Sequence, residues 1–303
     1  MTIHSIREIY AAISAAQPKR VAVAQAADAH VLQAVSEAYR EGYARPILIG
    51  DGESIRTIAQ EHGIDISGLP VVEKTGAECA EEAVRMVRCG EADVVMKGLM
   101  ESAPFLRAVV RKETGLRKPG AVVSAIAAVE LKKLGRLAFI TDLGITPLPD
   151  LETKKHLIEN AVEVARKFGM EQPKVAALSA AETLNEKMVS SYEAARLAEM
   201  NERGEITGCV VAGPISFDLA MSAEAAEEKH YHHAVAGQAD ILLVPSIEVG
   251  NVLYKALMLF ADMDTGGIIA GTEAPVVFCS RADSPQTKKN TLAMAVYLAG
   301  QKG

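Results

Sequence analysis

The segment 274–300, APVVFCSRADSPQTKKNTLAMAVYLAG, places a serine and an arginine between a strand-type run and a helix-type run. Ser280 and Arg281 directly follow the apolar residues, and Ser284 and Pro285 have the residue types of a helix N-cap and first turn. A strand tip beside a helix N-terminus gathers backbone N–H donors and the positive end of the helix dipole. Arg281 adds a permanent charge with a fork of donors. The segment therefore predicts a binding site for a phosphate or a carboxylate.

Two further cations follow another apolar run. Lys97 ends that run at Gly98, Ser102 is predicted to cap the next helix, and Arg107 is predicted about a turn and a half inside it. Lys97, Arg107 and Arg281 would together form a local anion pocket, although for any one of them taken singly a solvated surface charge is the favoured interpretation. The other predicted strand tips carry Ser124, Asp142, Gly213, Pro214, Pro245 and Ser246.

Other chemistries are less well supported by the sequence. Cys279 has the position of a nucleophile, but a buried strand cysteine acting as a small hydrophobe is the favoured interpretation. The four cysteines form no C-x-x-C pair, so a zinc or redox motif is not indicated. The histidines of HYHH, 230–233, lack carboxylates at suitable spacing and are interpreted as surface residues, not as metal ligands. The sequence contains no P-loop, H-E-x-x-H or G-x-S-x-G motif.

The composition limits the class of protein. The chain has 303 residues, a net charge of −7 and 49% hydrophobic residues, which together disfavour a nucleic-acid-binding face and allow a sizeable core. Apolar runs stay below the roughly 18 residues that a membrane span needs, and the N-terminal residues predict an amphipathic helix, not a signal peptide. We therefore expect a cytoplasmic protein with reduced cysteines and no membrane or nucleic-acid partner.

Short β-branched runs alternate with helix-period segments along the whole chain. The clearest helix is 149–169, which starts at Pro149 and Asp150 and ends at Gly169. This alternation predicts an α/β fold with mostly parallel sheets. Eleven predicted strands are many for one open sheet, which favours two α/β domains with an interdomain cleft as the site. We expect residues 1–135 and 273–303 in the first domain and 136–272 in the second.

Five long segments resemble the phosphate acetyl/butyryltransferase family, and most closely its phosphate butyryltransferase branch. The resemblance extends from about residue 20 to the C-terminus. The segments are ADVVMKGLMESAPFLRAVVRKETGLR, TDLGITPLPDLETKKHLIENAVEVA, VVAGPISFDLAMS, ADILLVPSIEVGNVLYKAL and APVVFCSRADSPQTKKNT.

The resemblance implies a reaction and a fold. The reaction is the reversible transfer of a short acyl group, butyryl or similar, from CoA to inorganic phosphate, giving an acyl phosphate. The implied fold has two α/β domains, like isocitrate and isopropylmalate dehydrogenases. The resemblance also implies a homodimer or larger homo-oligomer. CoA is a substrate, so no cofactor and no metal are expected.

The resemblance also implies roles for individual residues. Arg281 and Arg107 match family positions that bind phosphate and acyl phosphate, and Ser280 is expected to donate to the phosphate or to the carbonyl oxygen. Lys97 and the amides after Gly98 are expected to stabilise the oxyanion. The reaction is expected to be a direct attack in a ternary complex. Gly98, Ser102, Ser124 and Asn251 are further candidates for substrate binding, and Asn251 is equally explained as a surface residue near a helix start.

The sequence does not identify the base that activates the CoA thiol. The acetyl-transferring branch has an aspartate at the position matching Thr287, which cannot act as a base. Asp283 and Glu248 are nearby carboxylates, and Asp283 is included as a catalytic candidate although it is equally explained as a turn residue. Nearby cations would lower the pKa of the thiol and reduce the need for a base.

Three other functions compete with this one. Phosphate acetyltransferase activity is the first alternative. A non-catalytic acyl-CoA-sensing domain of the same fold is the second. A decarboxylating dehydrogenase is the third, but it would need a carboxylate cluster for a divalent metal and a nucleotide loop, and neither is found in the sequence.

Overall fold

The computed structural model describes residues 2–132 and 134–301. The chain forms two compact units. The first unit contains 5–121 and the chain from 264 onward, and the second contains 122–263 and the residues before 5. The predicted domain boundaries, near residues 135 and 273, thus lie C-terminal to the boundaries of the two units in the structure. A hairpin explains the first difference, because Ile126 to Leu131 pair with Arg136 to Thr141 and stay in one unit.

The elements alternate as the sequence predicts, which confirms the α/β class. The strands are β1 Lys19–Ala24, β2 Ala44–Gly50, β3 Val71–Glu73, β4 Val94–Lys97, β5 Ser124–Leu131, β6 Arg136–Thr141, β7 Lys174–Leu178, β8 Val210–Ile215, β9 Ile241–Leu243, β10 Met263–Ala270 and β11 Val276–Val277. The helices are α1 Ile6–Ser14, α2 Ala29–Arg40, α3 Gly52–Glu61, α4 Glu78–Arg88, α5 Ser102–Val110, α6 Leu151–Lys167, α7 Val189–Glu202, α8 Phe217–Met221, α9 Ala223–Glu228, α10 Ile247–Phe260 and α11 Pro285–Gly300.

Side-chain caps fix several helix starts. The Asp28, Asp51 and Asp150 carboxylates accept backbone N–H groups in the first turns of α2, α3 and α6. Ser284 does the same for α11, with Pro285 in the first turn, as the sequence predicts. Each cap satisfies a backbone N–H group that the helix itself leaves unpaired. The loops that lead from the strands into these helices therefore have defined shapes.

The first unit has strand order β3-β2-β1-β4-β11-β10. β1, β2, β3, β4 and β11 run parallel, and β10 is antiparallel to β11. Residues Val21 to Ala24 of β1 and Val94 to Met96 of β4 are fully buried, as expected for strands covered on both faces. Because β4 and β11 are parallel neighbours, the residues that follow them emerge at the same edge of the sheet.

The second unit has strand order β5-β6-β9-β7-β8. β6, β9, β7 and β8 are parallel, whereas β5 pairs with β6 in antiparallel orientation. Its core includes Ile140, Ala176, Ala212 and Leu242 with the short helix around Leu219. Among the described residues, none of the helices combines the length and the apolar character that crossing a membrane requires.

Candidate active site

Lys97 ends β4 with its side chain buried, at 2% exposure. Its Nζ lies 3.4 Å from the carbonyl oxygen of Cys279 and 3.5 Å from that of Gly98. The ammonium also lies 6.0 Å from the centre of the Phe278 ring. These contacts satisfy a buried cation only weakly, because both hydrogen bonds are long. The ammonium group is therefore held next to the residue that precedes Ser280 and keeps capacity for a further acceptor.

The surroundings of Lys97 lower the pKa of its ammonium below the ordinary value. Burial is the largest cause, since it removes water from the charged form, and the positive charges of Arg281 and Lys288 act in the same direction. The groups at Cys279 and Asp283 oppose the shift. Three cationic residues thus affect one another at the tip of β4, which is an environment that favours binding of an anion.

Gly98 allows the tip of β4 to approach β1 closely. A Cβ at this position would clash with the carbonyl oxygen of Gln25 and come within 2.6 Å of that of Ala24. The amides of Gly98, Leu99 and Met100 donate to the carbonyls of Ala24, Gln25 and Gly98. The two amides after Gly98, those of Leu99 and Met100, are thus engaged within the fold, which does not support the expectation that they stabilise an oxyanion. Gly98 acts through packing.

The segment from Ser280 to Asp283 forms a hydrogen-bonded turn. The Ser280 amide donates to Asp283 Oδ2 at 2.7 Å, and the Asp283 amide donates to the Ser280 carbonyl at 3.2 Å. The Ala282 amide donates to Ser280 Oγ at 3.4 Å. Asp283 is buried, at 7% exposure, while Ser280 and Arg281 are exposed. The Asp283 carboxylate thus shapes the turn, which supports its turn interpretation over a role as base.

Lys288 is a residue of this site that the sequence analysis did not find. It is buried in the first turns of α11, and its Nζ lies 2.7 Å from the Asp283 carbonyl, 3.1 Å from that of Ser280 and 3.4 Å from that of Arg281. Helical spacing could not have indicated it, because the residues from Asn290 to Leu298 are buried on all sides of α11 and define no single buried face.

The two candidate arginines are both exposed. Within the described chain, neither the Arg281 nor the Arg107 guanidinium has an ion pair or side-chain hydrogen bond, so each is available to an anion. Arg281 belongs to the turn just described. Arg107 lies on α5, two residues from Phe105, whose ring stacks on Phe278 with centroids 6.3 Å apart. Residues two apart face nearly opposite sides of a helix, so Arg107 points away from that contact.

Ser102 does not cap α5, contrary to the prediction. The helix begins at Ser102 itself, the N-cap position is Glu101, and no side-chain hydrogen bond caps this end. Ser102 is exposed. Its hydroxyl therefore stands at the N-terminus of α5 as a surface group.

The remaining two candidates for substrate binding lie in the second unit. Ser124 is fully buried at the start of β5, and its Oγ accepts Asn160 Nδ2 at 3.0 Å. Asn160 also donates to the Val122 carbonyl, so Ser124 is part of a structural network. Asn251 is exposed on α10.

The carboxyl of Asp142 organises the loop after β6 in the second unit. It accepts the amides of Ala125, Gly144, Ile145 and Thr146 at 2.8 to 3.2 Å. Burial raises the pKa of Asp142, while the four amides act in the opposite direction. Four donors on one carboxylate give the 142–146 loop a fixed shape.

The other groups discussed as nucleophile or base have different environments. Burial raises the pKa of the Cys279 thiol to about 12, so it stays protonated and matches the small-hydrophobe interpretation. The Thr287 hydroxyl lies 3.1 Å from Ser284 Oγ within the cap of α11. A hydrogen bond with Ser246 lowers the pKa of exposed Glu248, which lies on α10 of the second unit. Among the described residues, no cluster of three or more histidine, cysteine or carboxylate side chains has the arrangement of a metal site.

The sequence matches one family model over residues 4–85 and 78–296, and that family is described as phosphate acetyl/butaryl transferase. The chain belongs to this family. Phosphate butyryltransferase of Clostridium acetobutylicum is 46% identical over 301 residues, which cover 99% of this chain and 100% of the relative. Phosphate acetyltransferase of Thermotoga maritima is 39% identical over 281 residues, which cover 93% of this chain and 95% of the relative. The family predicted from the five segments is confirmed.

Solved structures agree with this assignment. A branched-chain phosphotransacylase from Enterococcus faecalis V583 matches with a TM-score of 0.82 and 35% identity, covering 94% of this chain and 100% of that one. A 4-hydroxythreonine-4-phosphate dehydrogenase from Klebsiella pneumoniae matches with a TM-score of 0.60 at 9% identity, covering 94% and 100%. The second match concerns the fold alone. It bears out the expected likeness to dehydrogenases of this architecture.

Proposed function

We propose that the protein is a phosphate acyltransferase that transfers a short acyl group, butyryl or similar, between CoA and inorganic phosphate. The observation that carries the proposal is the juxtaposition of an exposed, unpaired Arg281 with the buried ammonium of Lys97 at one edge of the first unit's sheet. A forked guanidinium matches a phosphate dianion in charge and geometry. Family membership adds the acyl-CoA and acyl phosphate as the other substrates.

The reaction needs positioning and charge stabilisation. A phosphate oxygen attacks the thioester carbonyl, the carbon–sulfur bond breaks, and the CoA thiolate leaves and takes up a proton. Arg281 and Arg107 would bind the phosphate, and Ser280 would donate its hydroxyl to the phosphate or to the carbonyl oxygen. The Lys97 ammonium would stabilise the negative charge that develops on that oxygen.

Thiol activation in the reverse direction is proposed to rely on cations. The Asp283 carboxylate is engaged with the Ser280 amide, and Thr287 supplies a hydroxyl that belongs to a helix cap. Positive charge at Lys97 and Arg281 would lower the pKa of a CoA thiol bound beside them. Attack of the thiolate on the acyl phosphate then needs no covalent intermediate on the protein.

The butyryl assignment comes from the relatives. Those 46% and 42% identical are named phosphate butyryltransferases, while one at 39% is named a phosphate acetyltransferase. We further propose that CoA enters as a substrate, that no cofactor or metal is needed, and that the enzyme works in the cytoplasm. The four cysteines are free in the structure, which suits a reducing compartment.

The decisive experiment measures thiol release from acetyl-, propionyl-, butyryl- and isobutyryl-CoA, with and without phosphate. We expect phosphate-dependent release that is fastest with a four-carbon chain. If thiol release were fastest with acetyl-CoA, the proposed reaction would stand, but the preferred acyl group would be acetyl and not butyryl. Binding of acyl-CoA in a calorimeter without turnover of any of the four would favour a sensing domain and overturn the proposal.

A further inference from the structure

Lys288 holds the Ser280–Asp283 turn from its buried side. Its ammonium has three N–H donors, and three carbonyls of the turn lie within 3.4 Å of Nζ. The lysine comes from α11, so the contacts attach the turn to the helix that follows it.

The burial of Lys288 gives these contacts their importance. The residue is 3% exposed, and an ammonium group taken out of water is strongly unfavourable unless its donors find acceptors. The carbonyls of Ser280, Arg281 and Asp283 are those acceptors. The turn and the ammonium therefore stabilise each other, and loss of the ammonium removes a donor from all three carbonyls, of which that of Ser280 keeps the Asp283 amide.

The direction of these carbonyls determines where the amides of the turn point. In a trans peptide the C=O of one residue and the N–H of the next point in opposite directions. Since the Ser280 carbonyl faces Lys288, the Arg281 amide faces away from it. Among the hydrogen bonds of the described residues, the Arg281 amide has no acceptor, and the Arg281 side chain is exposed. Both donors of Arg281 are thus free for an anion.

We propose that Lys288 is a positioning residue for phosphate: by binding the carbonyls of Ser280, Arg281 and Asp283, it aims the Arg281 amide and side chain at the bound anion. This inference rests on the proposed acyltransferase function. Lys288 acts through the turn and does not touch the reacting atoms. Its positive charge is also one cause of the lowered pKa of Lys97, which makes the pH profile a further readout.

The test compares Lys288→Met, Lys288→Arg and Lys289→Met with the wild type. Methionine keeps much of the length and removes the charge, while arginine keeps the charge. Lys289 is a matched control, because it occupies the next position of α11 but pairs with Glu37 and Glu41, away from the turn. Thermal unfolding establishes that each variant is folded.

The first readout is steady-state kinetics with an acyl-CoA that the wild type uses. We expect Lys288→Met to raise the KM for phosphate at least about tenfold, since one charge-assisted hydrogen bond is typically worth that factor, with the KM for acyl-CoA changed less than about twofold. Lys288→Arg should recover part of the loss, and Lys289→Met should show none. A phosphate KM within about twofold of wild type in folded Lys288→Met overturns the proposal, as does an equal rise in both KM values.

The second readout separates this inference from the proposed function. Amide hydrogen exchange in a peptide covering 279–284 follows the hydrogen-bonded amides of Ser280, Ala282 and Asp283 without any turnover. We expect faster exchange in Lys288→Met and unchanged exchange in Lys289→Met. Unchanged exchange in both overturns the positioning role. If the wild type releases no thiol with phosphate, the proposed function fails, and the exchange result still decides whether Lys288 anchors the turn.

The pH profile supplies the third readout. The charged groups that affect Lys97 are Arg281, Lys288, Asp283 and the thiol of Cys279. Removal of the Lys288 charge removes one cause that lowers the pKa of Lys97, so the alkaline loss of activity in Lys288→Met should move to higher pH. A profile identical to that of the wild type contradicts the electrostatic part of the proposal.

Discussion

At the residue scale, the site combines groups that the sequence identified with one that it did not. Ser280, Arg281 and the Ser284 cap were predictable, because a strand run, a glycine-free turn and an N-cap with proline have clear residue types. Lys288 was not, because a lysine in a helix is ordinarily solvated and its burial depends on tertiary packing. The engagement of the Leu99 amide was equally hidden, since its acceptor, the Gln25 carbonyl, is distant in the sequence.

Removal of the Arg281 side chain tests the phosphate site directly. We expect Arg281→Ala to raise the phosphate KM or lower kcat/KM by about a hundredfold, because it removes a bidentate, charge-assisted contact. The kinetic parameters of Arg281→Lys should lie between those of the wild type and Arg281→Ala, since lysine keeps the charge but lacks the forked donors of the guanidinium. Because Arg281 is exposed and unpaired in the described chain, the melting temperature should stay close to that of the wild type. Unchanged kinetics in a folded Arg281→Ala would remove this residue from the site.

The buried ammonium of Lys97 predicts a pH dependence. Its pKa lies below the ordinary 10.5, chiefly because burial disfavours the charged form. If the ammonium stabilises the oxyanion, activity is present below the folded pKa and falls as the pH rises through it. We therefore expect the alkaline limb of phosphate-dependent thiol release to begin below pH 10.5.

The control for this profile is circular dichroism at each pH, with subtraction of the thioester hydrolysis seen without enzyme. Lys97→Arg keeps its charge to higher pH, so any activity that it retains should lose the limb. A wild-type rate that stays constant up to pH 10.5 while the protein remains folded would contradict the role assigned to the ammonium.

At the element scale, the alternation of strands and helices could be predicted from the sequence, but the pairing of the strands was harder to predict. Strand β5 runs from Ser124 to Leu131 and forms a hairpin with β6. The short connection through Gly135 cannot accommodate the crossover that parallel strands need, so the antiparallel pair follows from loop length.

Gly98 tests the contact between the tips of β1 and β4. We expect Gly98→Ala to lower the melting temperature by about 5 °C or more, because its Cβ would meet backbone oxygens of Ala24 and Gln25, which cannot move as a flexible side chain would. Gly300→Ala is the matched control, since the nearest atom to a Cβ there lies 3.9 Å away and alanine favours its helix. Equal melting temperatures for the two variants would show that the tip of β4 tolerates a larger separation.

At the scale of the whole molecule, the chain has a net charge of −7, yet its candidate site gathers the cations Lys97, Arg281 and Lys288. A global excess of negative charge does not attract phosphate, so binding must depend on these local charges and on donors with fixed directions. The two-unit organisation could be inferred from the number of strands. Its boundaries could not, because they depend on which neighbouring strands pair.

One helix of the second unit leaves a large apolar surface uncovered. Val249, Val252 and Leu259 recur at helical spacing along α10 and are 45%, 69% and 76% exposed, and Phe260 beside them is 88% exposed. A contiguous exposed apolar face of this kind marks a protein interface more often than open solvent. It is consistent with the homodimer or larger homo-oligomer that the resemblance implies, in which a second copy of the chain would cover α10.

Charge on that face should therefore prevent assembly. We expect the wild type to have twice the 32.2 kDa chain mass by light scattering after gel filtration, and Val252→Glu with Leu259→Glu to shift it to the single-chain mass. Leu184→Glu is the control, because Leu184 is 56% exposed but lies outside α10, in the loop after β7. A monomeric wild type would contradict the homodimer. A double variant that keeps the wild-type mass would place the interface elsewhere and leave the apolar face of α10 for another partner.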